Sequence, residues 1–187
     1  MKSRQLTPIF AALALLFLAT VALAQHPANV HFINVGQAES ILLEFDKEVV
    51  LIDAGGEDST DAKQNKHLIE YLTDFFKKHR PDLHNTIDTV IVSHPHQDHT
   101  KLLPAVVTAF KVNNLIDGGA DHGSGIAALK KARAVIKKKD GKYFVVKAKD
   151  TLQPSFSLAP IEAIEAADPD VHFTVIGGTR GCDDQKQ

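Results

Sequence analysis

The sequence predicts a layered α/β fold, and three observations predict it. Apolar runs of strand length alternate along the chain with stretches of helical period, which is the pattern of sheet and helix layers packed on each other. With 44% hydrophobic and 24% charged residues the composition is that of a globular domain, which excludes a disordered, collagenous or multi-span membrane protein. No internal repeat or low-complexity linker divides the 187 residues, so one domain and a short appendage account for the whole.

The appendage is N-terminal. Lys2 and Arg4 form a basic start, Ile9 to Ala24 is an apolar run broken only by Thr20, and Ala22-Leu23-Ala24 has the small-x-small pattern that a signal peptidase cuts after. Residues 1–24 therefore read as a signal peptide and 25–187 as the mature domain, exported to a bacterial periplasm or exterior. An uncleaved anchor is the other reading, but the apolar run is short for a membrane span. Loss of Lys2 and Arg4 takes the formal net charge from −2 to −4, so the whole molecule makes no electrostatic case for nucleic acid or an acidic membrane. The single cysteine, Cys182, excludes an internal disulfide framework and any multi-cysteine metal site.

The mature chain opens on strands. Val30 to Val35, Ser40 to Phe45 and Val49 to Ile52 are apolar runs separated by Gly36-Gln37 and Asp46-Lys47, the spacing of an antiparallel meander. Asp53-Ala54-Gly55-Gly56 closes the third run, and a polar loop leads through Asp61. Leu68, Leu72, Phe75 and Phe76 then share one helical face; Lys77, Lys78, His79 and Arg80 suit its C-terminal end, and Pro81 stops it. Ile87 and Val90 to Val92 predict a buried strand running straight into Ser93-His94. Thr100 to Phe110 predicts a helix with Pro104 in its first turn, and Val112 to Ile116 a strand ending at Asp117-Gly118-Gly119. Ser124 is placed to cap a helix bearing Ile126, Leu129, Arg133 and Ile136, with Gly141 at its C-terminal end. Tyr143 to Val146 and Val171 to Ile176 are the remaining strand candidates.

Three of the ten histidines fall within six residues, His94-Pro95-His96-Gln97-Asp98-His99. A loop leaving a buried strand lets closely spaced side chains converge, and neutral imidazoles with a carboxylate are good ligands for zinc. Four ligands so close in sequence do not easily reach one tetrahedral ion. They can serve two, with His94 and His96 on one and Asp98 and His99 on the other. Pro95 holds His94 extended, which aims His94 and His96 to one side. A surface histidine cluster is the alternative, and the buried strand leading in argues against it.

The stretch Thr89-Val90-Ile91-Val92-Ser93-His94-Pro95-His96-Gln97-Asp98-His99 resembles the HxHxDH metal loop of the metallo-β-lactamase superfamily. Upstream, Phe32-Ile33-Asn34-Val35-Gly36-Gln37-Ala38-Glu39-Ser40 is similar to the opening motif of its ComEC-type competence branch. Val50-Leu51-Ile52-Asp53-Ala54-Gly55-Gly56 resembles the strand ending in Asp-x-Gly that follows there. The resemblance implies an αββα sandwich with two zinc ions at one edge of the sheets and a bridging water acidified toward neutral pH. It implies metal-bound hydroxide attacking a phosphoryl or acyl centre. His94 and His96 match the first-site ligands, and Asp98 and His99 the second-site ligands. Asp98 is also the expected catalytic carboxylate, and Asp53 matches the acid that supports the metal loop from behind. A turn-forming Asp after a strand is the plainer account of Asp53.

The chain also departs from the family's pattern. Thr100-Lys101-Leu102 follows His99 where the branch carries two glycines, and Ala38 and Glu39 replace Gly and Asp in the opening motif. The strand ending in Gly-Asp and the His-His-Gly-Ser type segment of full-length relatives are not found after His99. The expectation is thus a sandwich truncated at its C-terminus, comprising the N-terminal half and part of the second, with uncovered strand edges and apolar surface.

Two weaker features complete the reading. His122, in Asp121-His122-Gly123-Ser124, can supply a further ligand, although a loop histidine beside a helix start is more often polar punctuation. Lys130 to Lys149 holds Lys130, Lys131, Arg133, Lys137, Lys138, Lys139, Lys142, Lys147 and Lys149 against Asp140 alone. Such a segment favours a phosphodiester substrate such as nucleic acid, while a solvated helix face with dipole-matched lysines explains it more simply. The functional expectation is an exported zinc-dependent hydrolase acting on a phosphoester. Its rivals are a catalytically incomplete half-domain that binds metal weakly or scaffolds a partner, and a β-lactam hydrolase.

Overall fold

The structure is a computed structural model, and it describes residues 28–56 and 66–146. The signal-peptide reading at 1–24, the strand candidate Val171 to Ile176, Lys147, Lys149 and Cys182 lie outside the described residues. Among the described residues no helix is long and apolar enough to cross a membrane.

Among the described residues six strands form one mixed sheet whose spatial order is the order of the chain. The predicted meander is there: β1 (Asn29–Phe32), β2 (Ile41–Glu44) and β3 (Val49–Ile52) pair antiparallel, with Phe32 opposite Ile41 and Ile41 opposite Ile52. From β3 onward the pairing is parallel, through β4 (Thr86–Ile91), β5 (Lys111–Asp117) and β6 (Lys142–Val145). Parallel neighbours need crossovers, and helices supply them.

The first crossover is α1 (His67–Asp74), which continues as a wider turn over Phe75–His79 before a short 3-10 turn at Pro81–Leu83. Its apolar stripe falls where the periodicity put it, with Leu68, Leu72, Phe75 and Phe76 buried. The helix expected over Thr100 to Phe110 starts earlier, as α2 (Gln97–Thr100), and after a break resumes as α3 (Leu103–Ala109). Pro104 lacks an N–H and starts a new helix rather than extending one, and the Leu102 N–H turns aside to donate to Ala54 O at 2.9 Å. The last crossover, α4 (Ile126–Lys138), starts at Gly125 without a side-chain cap. Ser124, expected to cap it, instead accepts a hydrogen bond from the Gln97 N–H at 3.1 Å, which ties this turn to the histidine loop. At the far end Asp140 takes the left-handed conformation (φ 59°), and the N–H of Gly141 returns to Ile136 O at 3.0 Å.

Side chains alternate across the sheet, so Leu42, Leu51, Val90 and Leu115 share one face. They join Leu68, Leu72, Phe76, Leu103, Val106, Val107, Leu129 and Ile136 from the helices in one continuous core. Val30 and Phe32, on the other face of the edge strand β1, are exposed, Phe32 by 80%.

Arg80 joins the end of the first crossover to the meander. It donates to Glu44 Oε1 at 3.1 Å and to Phe45 O at 2.8 Å, while Glu44 Oε2 takes hydrogen bonds from Asn29 and His31. Burial alone would raise the Glu44 pKa from its ordinary 4.5. The hydrogen bonds from Arg80, Asn29 and His31 outweigh it and hold the carboxyl below that value. A carboxyl whose pKa is depressed by folding adds stability above its unfolded pKa and loses it as pH falls through the folded value. We expect urea midpoints to fall as pH drops below about 4.5, and Glu44→Gln to flatten that fall. Parallel acid limbs for the two proteins would refute this role.

Candidate metal centre

β4 is flanked on both sides by parallel strands, so its direction at the C-terminal end is set by main-chain bonding. Val92 N–H donates to Ile116 O and Asp53 N–H to Ile91 O, both at 2.8 Å. The chain then leaves the sheet at Ser93, and the six residues His94 to His99 curl into the first turn of α2.

Asp53, at the end of β3, is the anchor of this loop. It is wholly buried and held at φ 56°, a conformation Asp tolerates better than most residues. Its Oδ1 accepts the Ser93 N–H at 2.8 Å, and its Oδ2 accepts the Ser93 hydroxyl at 2.6 Å and His99 Nδ1 at 2.8 Å. A carboxylate only accepts, so the proton of neutral His99 sits on Nδ1 and the lone pair of Nε2 is left for a ligand. That Nε2 lies 3.4 Å from Asp98 Oδ2. Ser93 Oγ is also 3.1 Å from His94 Nδ1, and the His94 and His99 rings are 3.9 Å apart between centroids.

His94, His96 and Asp98 offer ligand atoms that all lie within 4.8 Å of one another, and Glu39, Asp53 and His99 form a second such group. The sequence placed Asp98 with His99. The geometry puts Asp98 against both His94 with His96 and the Nε2 of His99, and it sets His99 against Asp53. The Asp53 to His99 contact is the hydrogen bond by which carboxylates orient metal-binding imidazoles, so we take the second group as a bracing cluster rather than a separate ion cage. The His94 pKa is lowered from 6.5, chiefly by burial and then by His99 and His96, which favours the neutral imidazole that a metal requires. Neutral imidazoles with a half-exposed carboxylate are the donor set of zinc and similar divalent ions, so the residues present fit such an ion.

His122 belongs to neither group. It is exposed and hydrogen-bonds Asp121 at 2.9 Å. Two residues enter that the sequence reading did not assign to the site. Glu39 approaches His99 Nδ1 at 4.0 Å, and its backbone is strapped in place, its N–H to Asp98 O at 3.0 Å and its carbonyl to the Gly55 N–H at 2.9 Å. Its signal was the Gly-Gln-Ala-Glu-Ser motif, which marks the turn before β2. Ser93 carried no signal beyond its place before His94.

The family model described as the metallo-beta-lactamase superfamily matches residues 33–184. Among solved structures, the metallo-beta-lactamase fold protein YhfI from Bacillus subtilis is similar at 18% identity and a TM-score of 0.40, over 72% of this chain. The match spans 48% of the length of that protein. No curated protein matches the chain.

Proposed function

Because the chain belongs to the metallo-beta-lactamase superfamily, we propose that it is an exported zinc-dependent hydrolase of the ComEC-type branch, acting on a phosphoester. The observation that carries the reading is the convergence of His94, His96 and Asp98 at the end of a buried parallel strand. In this reading His94 and His96 hold a first ion, Asp98 and His99 hold a second, and Asp53 fixes the His99 ring. Bound divalent ions would acidify water and offset negative charge developing on a phosphoryl oxygen. Asp98, about half exposed beside the histidines, is the carboxylate placed to orient or accept a proton.

The outer face of α4 supports a phosphodiester substrate, nucleic acid included. Lys130, Lys131, Lys137 and Lys138 are exposed there. Arg133 and Lys139 are committed elsewhere, to Asp117 and to the carbonyls of Val107 and Thr108. Export rests on Lys2, Arg4 and the apolar run Ile9 to Ala24.

The test is zinc content and hydrolysis of bis(p-nitrophenyl) phosphate in the purified protein and in His96→Ala. We expect near-stoichiometric zinc and chelator-sensitive turnover, with both lost in the variant. Turnover that survives chelation and the substitution would falsify the reading. A second reading is a metal-binding module without catalysis. It is favoured by the metal-capable groups of the described residues all lying between Glu39 and His99. Zinc without turnover would support it, and cleavage of a chromogenic cephalosporin would point to a β-lactam instead.

A further inference from the structure

The histidine loop is braced from behind by the turn that follows β5. The Gly125 N–H donates to Pro95 O at 2.9 Å, the Gln97 N–H donates to Ser124 Oγ, and the Thr100 hydroxyl lies within hydrogen-bond distance of both His96 O and Gly125 O. The fit leaves no slack. Gly123 adopts φ +130°, and a Cβ on it would stand 2.5 Å from Pro95 O.

This turn is in turn clamped at its origin. Asp117, buried at the end of β5, accepts Arg133 Nε at 2.9 Å and Nη2 at 2.8 Å, the Tyr143 hydroxyl at 3.0 Å and the Gly119 N–H at 2.6 Å. Arg133 also reaches Ala120 O at 3.2 Å and lies over the Tyr143 ring at 5.2 Å. One guanidinium thus grips both the last residue of the strand and the carbonyl of the turn. Burial and the Asp117 charge push the Tyr143 phenol up to about 12, so it remains a donor in the clamp.

We propose that Arg133 is a positioning residue for the metal centre: through Asp117 and Ala120 it sets the turn 118–125, which sets the backbone of Pro95 and His96. The inference rests on the metal-binding reading above. It predicts more than a stability role, because the clamp ends on the backbone of a ligand. Lysine keeps the charge but lacks the planar fork that spans two acceptors, so Arg133→Lys tests geometry rather than charge. Gly123→Ala strikes the same chain of contacts at its far end without touching the clamp.

The experiment is titration with Co2+ alone, read by chelator competition and by the visible d–d bands. It uses wild type, Arg133→Lys, Gly123→Ala and, as a control at an exposed position on the same helix, Ala134→Ser, each held well below its own unfolding midpoint. We expect Co2+ affinity to fall about tenfold or more in the first two variants, with altered band positions, and Ala134→Ser to match wild type. Folded Arg133→Lys and Gly123→Ala proteins with wild-type affinity and spectrum would overturn the proposal while leaving the metal reading intact. Absence of Co2+ binding by wild type would overturn both. If Arg133→Lys fails to fold, Gly123→Ala decides alone.

Discussion

Gly55→Ala is expected to destabilise the protein by at least about 3 kcal/mol and to remove metal binding with it. A Cβ on Gly55 would lie 1.7 Å from Asp98 O, 2.6 Å from Asp98 C and 2.8 Å from Glu39 O. All three are backbone atoms, so no side-chain rotation relieves the clash. Relief would require the segment after β3 to part from the start of α2. That parting breaks the hydrogen bonds from Ala54 N–H to His99 O, from Leu102 N–H to Ala54 O and from Gly55 N–H to Glu39 O, each 2.9 Å. Gly56→Ala is the internal comparison, because its Cβ would meet only the side chain of Leu102, at 2.9 Å and beyond, and a leucine can shift. Urea unfolding together with zinc stoichiometry measures both effects. A Gly55→Ala protein with the wild-type midpoint and zinc content would contradict the geometry.

The second large effect is expected at Asp53. Asp53→Ala removes the acceptor for the Ser93 N–H, the Ser93 hydroxyl and the His99 Nδ1–H. These bonds are part-buried, and a hydrogen bond to a charged group contributes about 1.5–3 kcal/mol. Relaxation and entering water recover part of this, and about 3 kcal/mol in total is the expected loss. Zinc affinity is expected to drop about 10- to 100-fold, since the His99 ring loses the group that orients it. Asp53→Asn keeps one acceptor oxygen and tolerates the left-handed backbone, so it should fall between wild type and alanine. Equal zinc affinities across the three proteins would show that Asp53 serves the turn alone.

Much of this arrangement was legible in the chain, for physical reasons that differ by element. The meander declares itself by apolar runs parted by turn residues, and α1 because its apolar residues recur at the period of its buried face. β4 was legible from Ile87 and Val90 to Val92, although Asp88 and Thr89 interrupt the apolar residues. The histidine loop was legible because its candidate ligands are packed into six consecutive residues. What escaped is whatever depends on partners distant in sequence. Ser124 has the chemistry of a helix cap, yet its oxygen is taken by Gln97, 27 residues upstream. The break between α2 and α3 follows from Ala54, whose carbonyl accepts the Leu102 N–H. Glu39 reaches His99 only because two backbone segments are laced together. That Asp53 supports the metal loop was expected from family resemblance, but its pairing with His99, 46 residues on, is announced by no local pattern.

The strand order has a consequence for how the site comes into being. Among the described residues each strand pairs with the one just before it in the chain, so none of them waits for a partner beyond its neighbour. The antiparallel meander closes short loops, whereas each parallel pairing spans a crossover, 39 residues from Val50 to Thr89, and forms more slowly. The histidine loop is therefore expected to settle first on the meander, through Asp53 at the end of β3. Its rear brace needs one more crossover, to β5 and α4. The centre is expected to form in two strokes, anchored first and tightened second.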